Sequence, residues 1–429
     1  MSGPLRAAYR DYLPGPNYPR LEHLSTSNAH QWGEKRAAEH FVAEWMKSWK
    51  ELHDKPYQGI TTDGNVLANV YHLAHDGEDH GAPTAVMVNA AHRILEIASV
   101  EEWRALSYPL EADEWREWMN PEIYVFKNGV RLEDVSDELV SAIHGLLKAS
   151  LSPSGYKKSI DCIKVNAFLG ELINGKGVLN ERSYNFALFG DPSLTSPWGW
   201  YFYGHHLCLN CLVVGTQQVI SPIFMGAEPN VIDAGPDTDV TIFYPQESAA
   251  LALMQSLSSK VQSQAQIYDK LYSPEMPKWR FHRADQRQLG GAFQDNRIVP
   301  YEGVLVTAMS SQQQEALLEI VRLFIDYLPP RVLAARLNEV QSYWKETFFS
   351  WIGGFANGDA FYYKVHSPVI MIEFDHHTGV FLTNKEPLHF HIHTLVRTPN
   401  GNDYGKELLK QYYAREQCNA QGTIKSGAW

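Results

Sequence analysis

From Asn28 to about Leu52, the apolar residues Ala37, Phe41, Val42, Trp45 and Trp49 recur at three- and four-residue steps between charges, which predicts a helix. Asp63-Gly64 in YQGITTDGNV is a turn signal, and VLANVYHL after it reads as a strand. Residues 84–120 read as helices. YVFKNGVRLEDVSDE then reads as a strand and a turn leading into another helix, with Ser136 as its cap.

Further along, the pattern recurs. Residues 137–214 run as two helices followed by SYNFALFGDPSLTSPWGWYFYGHHLCLNCLVVG. Residues 311–379 repeat that order: a helix from Gln312 to Tyr327, a second from Arg331 to Lys345, then TFFSWIGGFANGDAFYYKVHSPVIMIEFDHHTG. Each stretch has an aromatic strand, a Gly-containing turn, a second aromatic strand and an aliphatic third. Short turns between strands predict antiparallel hairpins instead of βαβ crossovers. The fold class expected is α+β, antiparallel sheets flanked by helices, with a pseudo-twofold repeat of a helix-helix-strand unit; a chance likeness of element order is the alternative. Three regions of one compact body follow: 1–136 packed on the body, 137–270 as a first α+β unit with the GHHLxLN motif and 271–429 as a second with the IEFD and HxHxxxR motifs. Residues 272–303, rich in Pro, Gly, Arg and Gln, read as a long surface or active-site loop.

Strand periodicity also sorts the chemistry. In LHFHIHTLVRTP, alternation puts His389, His391, His393 and Arg397 on one face and Phe390, Ile392, Thr394 and Val396 on the other. In VIMIEFDHH, Glu373, Asp375 and His377 share a face opposite Ile370, Ile372 and Phe374. In GHHLCLNCLVV, His206, Cys208 and Asn210 lie opposite His205, Leu207 and Leu209. If these segments neighbour one another, their polar faces converge, and His-x-His on a strand aims two imidazoles the same way. Imidazoles and carboxylates are ligands for Zn, Fe or Mn. A solvent-facing polar sheet surface is the plain alternative. Cys208 and Cys211 form a C-x-x-C, but three residues apart on a strand means opposite faces, which argues against a shared metal or redox role.

Composition narrows the classes. The 429 residues carry 44% hydrophobic and 20% charged residues, ordinary for a folded chain of two or three domain-sized units. A net charge of −12 and the absence of a Lys/Arg run argue against nucleic acid or an anionic membrane as partner. The amino terminus has no apolar h-region, and no run of 18 apolar residues occurs, so neither a secretory signal nor a spanning helix is expected. Four cysteines do not make a disulfide framework; a reducing, cytoplasmic setting fits. No GxSxG elbow, P-loop, GxGxxG or HExxH is present.

The strings GITTDG, EWREWMN with YVFKNGVRLEDVS, PWGWYFYGHHLCLN, ISPIFMGAEP, FQDNRIVPYEG, and IEFDHH with HIHTLVRTPNGNDYG are similar to the uncharacterised family catalogued as domain of unknown function 3500. The resemblance runs from about residue 30 to 413. It implies that His205, His206, Asn210, Glu373, Asp375, His391, His393 and Arg397 belong to family motifs. The stretch from His376 to Phe390 departs from the family pattern, with Phe390 where that pattern has Asn, and this ranks His376, His377 and His389 lower.

The expected chemistry is a metal-dependent hydrolase acting on a small organic substrate. His206, Glu373, His391 and His393 are the candidate ligands of a divalent ion, zinc first, with iron or manganese as alternatives. Glu228 or Asp375 would move the proton, and Arg397 or His205 would steady the oxyanion. Trp198, Trp200, Tyr203 and Asn210 would line the substrate pocket. A mononuclear non-haem iron or manganese redox enzyme and a non-catalytic His-rich binding module are the alternatives. Oligomeric state is open, a homodimer included.

Overall fold

The computed structural model describes residues 8–15, 17–75 and 77–426, so residues 1–7 of the amino terminus read as lacking a signal lie outside the described residues. Its twelve strands are β1 (Ser107–Tyr108), β2 (Val130–Arg131), β3 (Tyr184–Phe189), β4 (Trp198–Gly204), β5 (Leu207–Val214), β6 (Gln217–Ala227), β7 (Gln266–Tyr268), β8 (Val304–Leu305), β9 (Phe348–Gly353), β10 (Phe361–His366), β11 (Met371–His376) and β12 (Ile392–Arg397). All join one sheet in the order β1-β3-β4-β5-β6-β12-β11-β10-β9-β7, with β2 also on β3 and β8 also on β9. The class is α+β, as expected. Where separate antiparallel sheets were expected, a single mixed sheet forms, because β1 runs parallel to β3 and β7 parallel to β9.

Element order recurs on the two sides of the β6–β12 contact. Helices Asp137–Ser150 and Pro153–Leu172 precede β3, β4 and β5; helices Ser311–Ile325 and Pro330–Ser342 precede β9, β10 and β11. Residues assigned to different regions from the sequence pair directly. The segment 1–136 supplies β1 and β2, and β6 of the first unit pairs with β12 of the second.

The sheet's faces carry different side chains. On one, Trp198, Trp200, Leu207, Leu209, Ile372, Phe374, Ile392 and Val396 pack against Ile143, Leu147, Leu253 and Leu317 of the helices. On the other, Tyr203, Cys208, Phe224 and Leu395 meet Trp45, Trp49, Trp118, Leu289 and Phe293. Burying each large apolar side chain stabilises by about 1.5–3 kcal/mol. A one-residue slip in β11 or β12 would exchange those residues for Glu373, Asp375 or His393, so the register is firmly set. Cys208 and Cys211 fall on opposite faces, and all four cysteines are free thiols.

Ser136 caps its helix by accepting from Leu139 N, as the sequence predicts. The segment read as one helix from Asn28 is two, Ala29–Ala37 and His40–His53, because Glu39 is extended (ψ 135°). Residues 66–73 form no strand. Tyr71 there is buried, its hydroxyl donating to Pro399 O at 2.6 Å, while Val66 and Leu67 face outward. The loop 272–303 is exposed or half-buried over 272–284 apart from Arg280, and residues 285–293 with Asp295 form a buried cover on the second face, Arg287, Leu289 and Asp295 essentially without exposure. Among the described residues, no helix is long and apolar enough to cross a membrane.

Candidate metal centre

Three histidines meet under that cover. His393 sits in β12, paired with Gly226 on one side and Asp375 on the other. His391 lies just before the strand. His206 comes from the two-residue turn between β4 and β5, where the sequence reading had continued a strand through His205 and His206. Its φ of +110° is in the left-handed region, and its carbonyl is tied to Gly226 N at 2.8 Å. Glycine at 226 leaves room for the rings: a Cβ there would lie 3.1 Å from His393 Cδ2 and 3.2 Å from His206 Cδ2.

His391 Nε2 is 3.0 Å from His393 Nε2, which is 3.3 Å from His206 Nε2. Zn–N bonds of about 2.0–2.1 Å give a tetrahedral ion N···N edges of about 3.3–3.4 Å; the His393–His206 edge of 3.3 Å matches this and the His391–His393 edge of 3.0 Å is somewhat shorter, so the group could close on such an ion with a small outward shift. Protonation fits too. His391 Nδ1 lies 2.6 Å from the Thr378 carbonyl, which only accepts, so the proton sits on Nδ1 and Nε2 offers its lone pair to the cluster. Burial, then the neighbouring imidazoles, pushes His206 and His393 well below their ordinary pKa, which keeps them neutral as ligands must be. His393 Nδ1 is buried without a partner.

Two further imidazoles flank the cluster. His205 stacks on His206 with centroids 3.8 Å apart, and its Nδ1 lies 2.8 Å from Asn166 Oδ1. Asn166 Nδ2 donates to Asn180 O, which fixes the amide orientation and puts the His205 proton on Nδ1. His377, ranked low from the sequence, lies against His393 with ring centroids 3.8 Å apart and the planes tilted by 35°, its Nε2 lying 3.0 Å from Asp375 Oδ2. Burial lowers both imidazoles to about 4, against the pull of Glu122 and Asp375 respectively.

The remaining candidates lie outside this cluster. Glu373, expected as a ligand, accepts from Leu289 N, Gly290 N and Tyr362 Oη at 2.6–3.0 Å, so both its oxygens hold the cover loop. Asp375 pairs with Arg287 Nε at 2.7 Å; burial raises its pKa, and Arg287 and His377 outweigh that to hold it below the usual range. Arg397 spends its donors on Gly290 O, Gly291 O, Asp295 and Asp403. With no exposure, it is committed to the loop and unavailable as an oxyanion donor. Glu228 accepts from Val380 N, Phe381 N and Leu382 N. Trp198 and Trp200 are core on the opposite face of the sheet. Asn210 faces the irregularity in β5–β6 pairing, donating to Pro222 O at 3.0 Å. Tyr203 does line a narrow cleft, with Met119, Ile123, Tyr124 and Glu122, that opens beside His205.

A second group, Glu247, His376 and His389, was not expected together: alternation had put His389 with His391, but β12 begins only at Ile392. His376 Nδ1 accepts from Phe361 N at 3.0 Å, so its proton is on Nε2, facing Glu247 at 3.1 Å. An Nε2 that carries a proton is no ligand. His389 meets acceptors at both nitrogens, Glu247 and Gly358 O. Burial raises the Glu247 pKa, but its bonds to His376 and His389 outweigh this and bring it to about 2. This group is a hydrogen-bonded ion pair, while in the first cluster His391 presents the lone pair of Nε2 to its two neighbours. In the sequence, the signal for the second group was the isolated Glu247 on a helix that faces β11.

Neither curated proteins nor solved structures give a match to the chain. A family profile does, over residues 80–406, a narrower span than the motif resemblance suggested and one that leaves out GITTDG. That span is most of the chain, and the protein therefore belongs to the family described as protein of unknown function (DUF3500).

Proposed function

We propose that this protein is a metal-dependent hydrolase of small organic substrates, with zinc held by His206, His391 and His393. The observation that carries the reading is the set of three Nε2 atoms at 3.0 and 3.3 Å, with His391 fixed as a lone-pair donor by Thr378 O. Three protein ligands leave a fourth position for water, the pattern of catalytic as opposed to structural zinc. When bound, the ion would polarise a carbonyl and lower the pKa of water to about 7.

The chain's own residues do the rest. His205, its proton committed to Asn166, presents Nε2 as an acceptor for a water or substrate O–H. Tyr203, Met119 and Ile123 line the cleft that ends at His205. His206 and His393 are each 5% exposed and His391 is fully buried, so the substrate is small, and bulk water is largely excluded. A mononuclear non-haem iron site is the weaker reading, since it calls for two histidines and a carboxylate, and Glu373 and Asp375 are engaged elsewhere.

The test is a panel of esters, amides and lactones offered to zinc-loaded protein, chelated protein and His393→Ala. Turnover that needs zinc and fails in the variant supports the reading. Stoichiometric zinc with no turnover across the panel would point to a binding module instead.

A further inference from the structure

We infer that Glu228, just past β6, is a positioning residue for the metal centre, acting through the loop that follows β11. This rests on the metal reading above. One carboxylate gathers three consecutive backbone donors: Val380 N at 2.7 Å, Leu382 N at 3.0 Å and Phe381 N at 3.1 Å to Oε1, with Phe381 N also 3.2 Å from Oε2. Residues 380–382 follow Thr378 with only Gly379 between, and the Thr378 carbonyl lies 2.6 Å from His391 Nδ1, whose proton it accepts. Glu228 Oε1 is itself 3.8 Å from that same Nδ1. Glu228 thus pins the segment that selects the His391 tautomer and places negative charge beside the ring. Both effects make Nε2 a better donor.

Glutamine is an imperfect substitute: with its oxygen in the Oε1 position it still accepts from all three loop N–H groups, but its NH2 then faces Phe381 N, donor against donor, where Oε2 lies 3.2 Å away. Charge beside His391 is lost as well. Partners of this kind, one step removed from the ion, typically change metal affinity by about 10–100-fold when replaced. Glu228→Asp keeps the charge and shortens the reach.

Cobalt(II) is the probe, because its visible bands report the ligand field directly. In titrations of the full chain, Glu228→Gln is expected to bind cobalt about 10–100-fold more weakly than wild type and to shift its bands. Glu228→Asp is expected to recover part of both. Val380→Pro removes one loop donor without touching the carboxylate and is expected to move affinity the same way, which keeps the test open if Glu228→Gln does not fold. If Glu228→Gln melts earlier but binds cobalt with unchanged affinity and spectrum, Glu228 is only a loop anchor and the inference fails. Failure of wild type to bind cobalt would instead overturn the metal reading on which the inference stands.

Discussion

Arg397 offers a sharp test of how the cover loop is held. Its guanidinium donates to Gly290 O at 2.7 Å, Gly291 O at 2.7 Å, Asp295 at 2.7 Å and Asp403 at 3.0 Å, and it lies over Trp118. Arg397→Met keeps the stem and removes every donor. Asp295 retains Arg116 at 2.9 Å and the Tyr404 hydroxyl, so it is not stranded. Asp403 keeps only neutral donors, Ser221 Oγ and Thr398 N, and two glycine carbonyls lose their partners. Stranding one member of a buried ion pair costs roughly 3–5 kcal/mol. Burial already raises the pKa of Asp403, so uptake of a proton will hold the loss toward the lower end. Urea unfolding followed by tryptophan fluorescence should show that loss. Adding Asp403→Asn should restore part of it, since the uncompensated charge goes with it. A variant within about 1 kcal/mol of wild type that loses only turnover would refute the reasoning and return Arg397 to substrate binding.

Gly226→Val would drive side-chain atoms between His393 and His206, where even a Cβ has 3.1 and 3.2 Å; zinc binding measured by titration should be lost while the far-ultraviolet spectrum stays native. The folded pKa of Glu247 lies near 2, below its unfolded value of about 4.3. Its contribution is complete above that unfolded value while His389, whose pKa burial lowers but Glu247 raises overall, stays protonated, and it fades as pH falls toward 2. Glu247→Gln should therefore flatten the acid limb of a stability-against-pH curve, and an unchanged limb would contradict the pairing. Ser136→Ala removes the cap on Leu139 N and should cost about 1 kcal/mol by thermal or chemical unfolding, with no change in bound metal.

Strand alternation made the faces legible. Ile372, Phe374, Ile392 and Val396 were assigned to one side and Glu373, Asp375 and His393 to the other, and the two cores divide that way. Histidine spacing brought His391 and His393 forward for the same reason. Other features depended on partners far along the chain. Glu373, Glu228 and Arg397 carry the residue types of a catalytic site, yet each is engaged by backbone groups of a loop more than eighty residues away, with Tyr362 added for Glu373 and Asp295 and Asp403 for Arg397. Periodicity is silent on loop backbone, so their roles were read as chemical. His377 was set aside on family pattern, but strand geometry returns it to the face of His393. The parallel edges were hidden because β1 and β7 are only two and three residues long. The false strand at 66–73 shows the converse: Val70 and Tyr71 are apolar because they pack into the core, and the segment has no strand partner.

Whether His206, His391 and His393 hold one ion is decided by elemental mass spectrometry of the purified protein, paired with X-ray absorption at the metal edge. About one zinc per chain is expected, with three nitrogen neighbours at about 2.0–2.1 Å, lost in His391→Ala/His393→Ala. No metal after reconstitution, or an ion that survives the double substitution, would show that these histidines hold none.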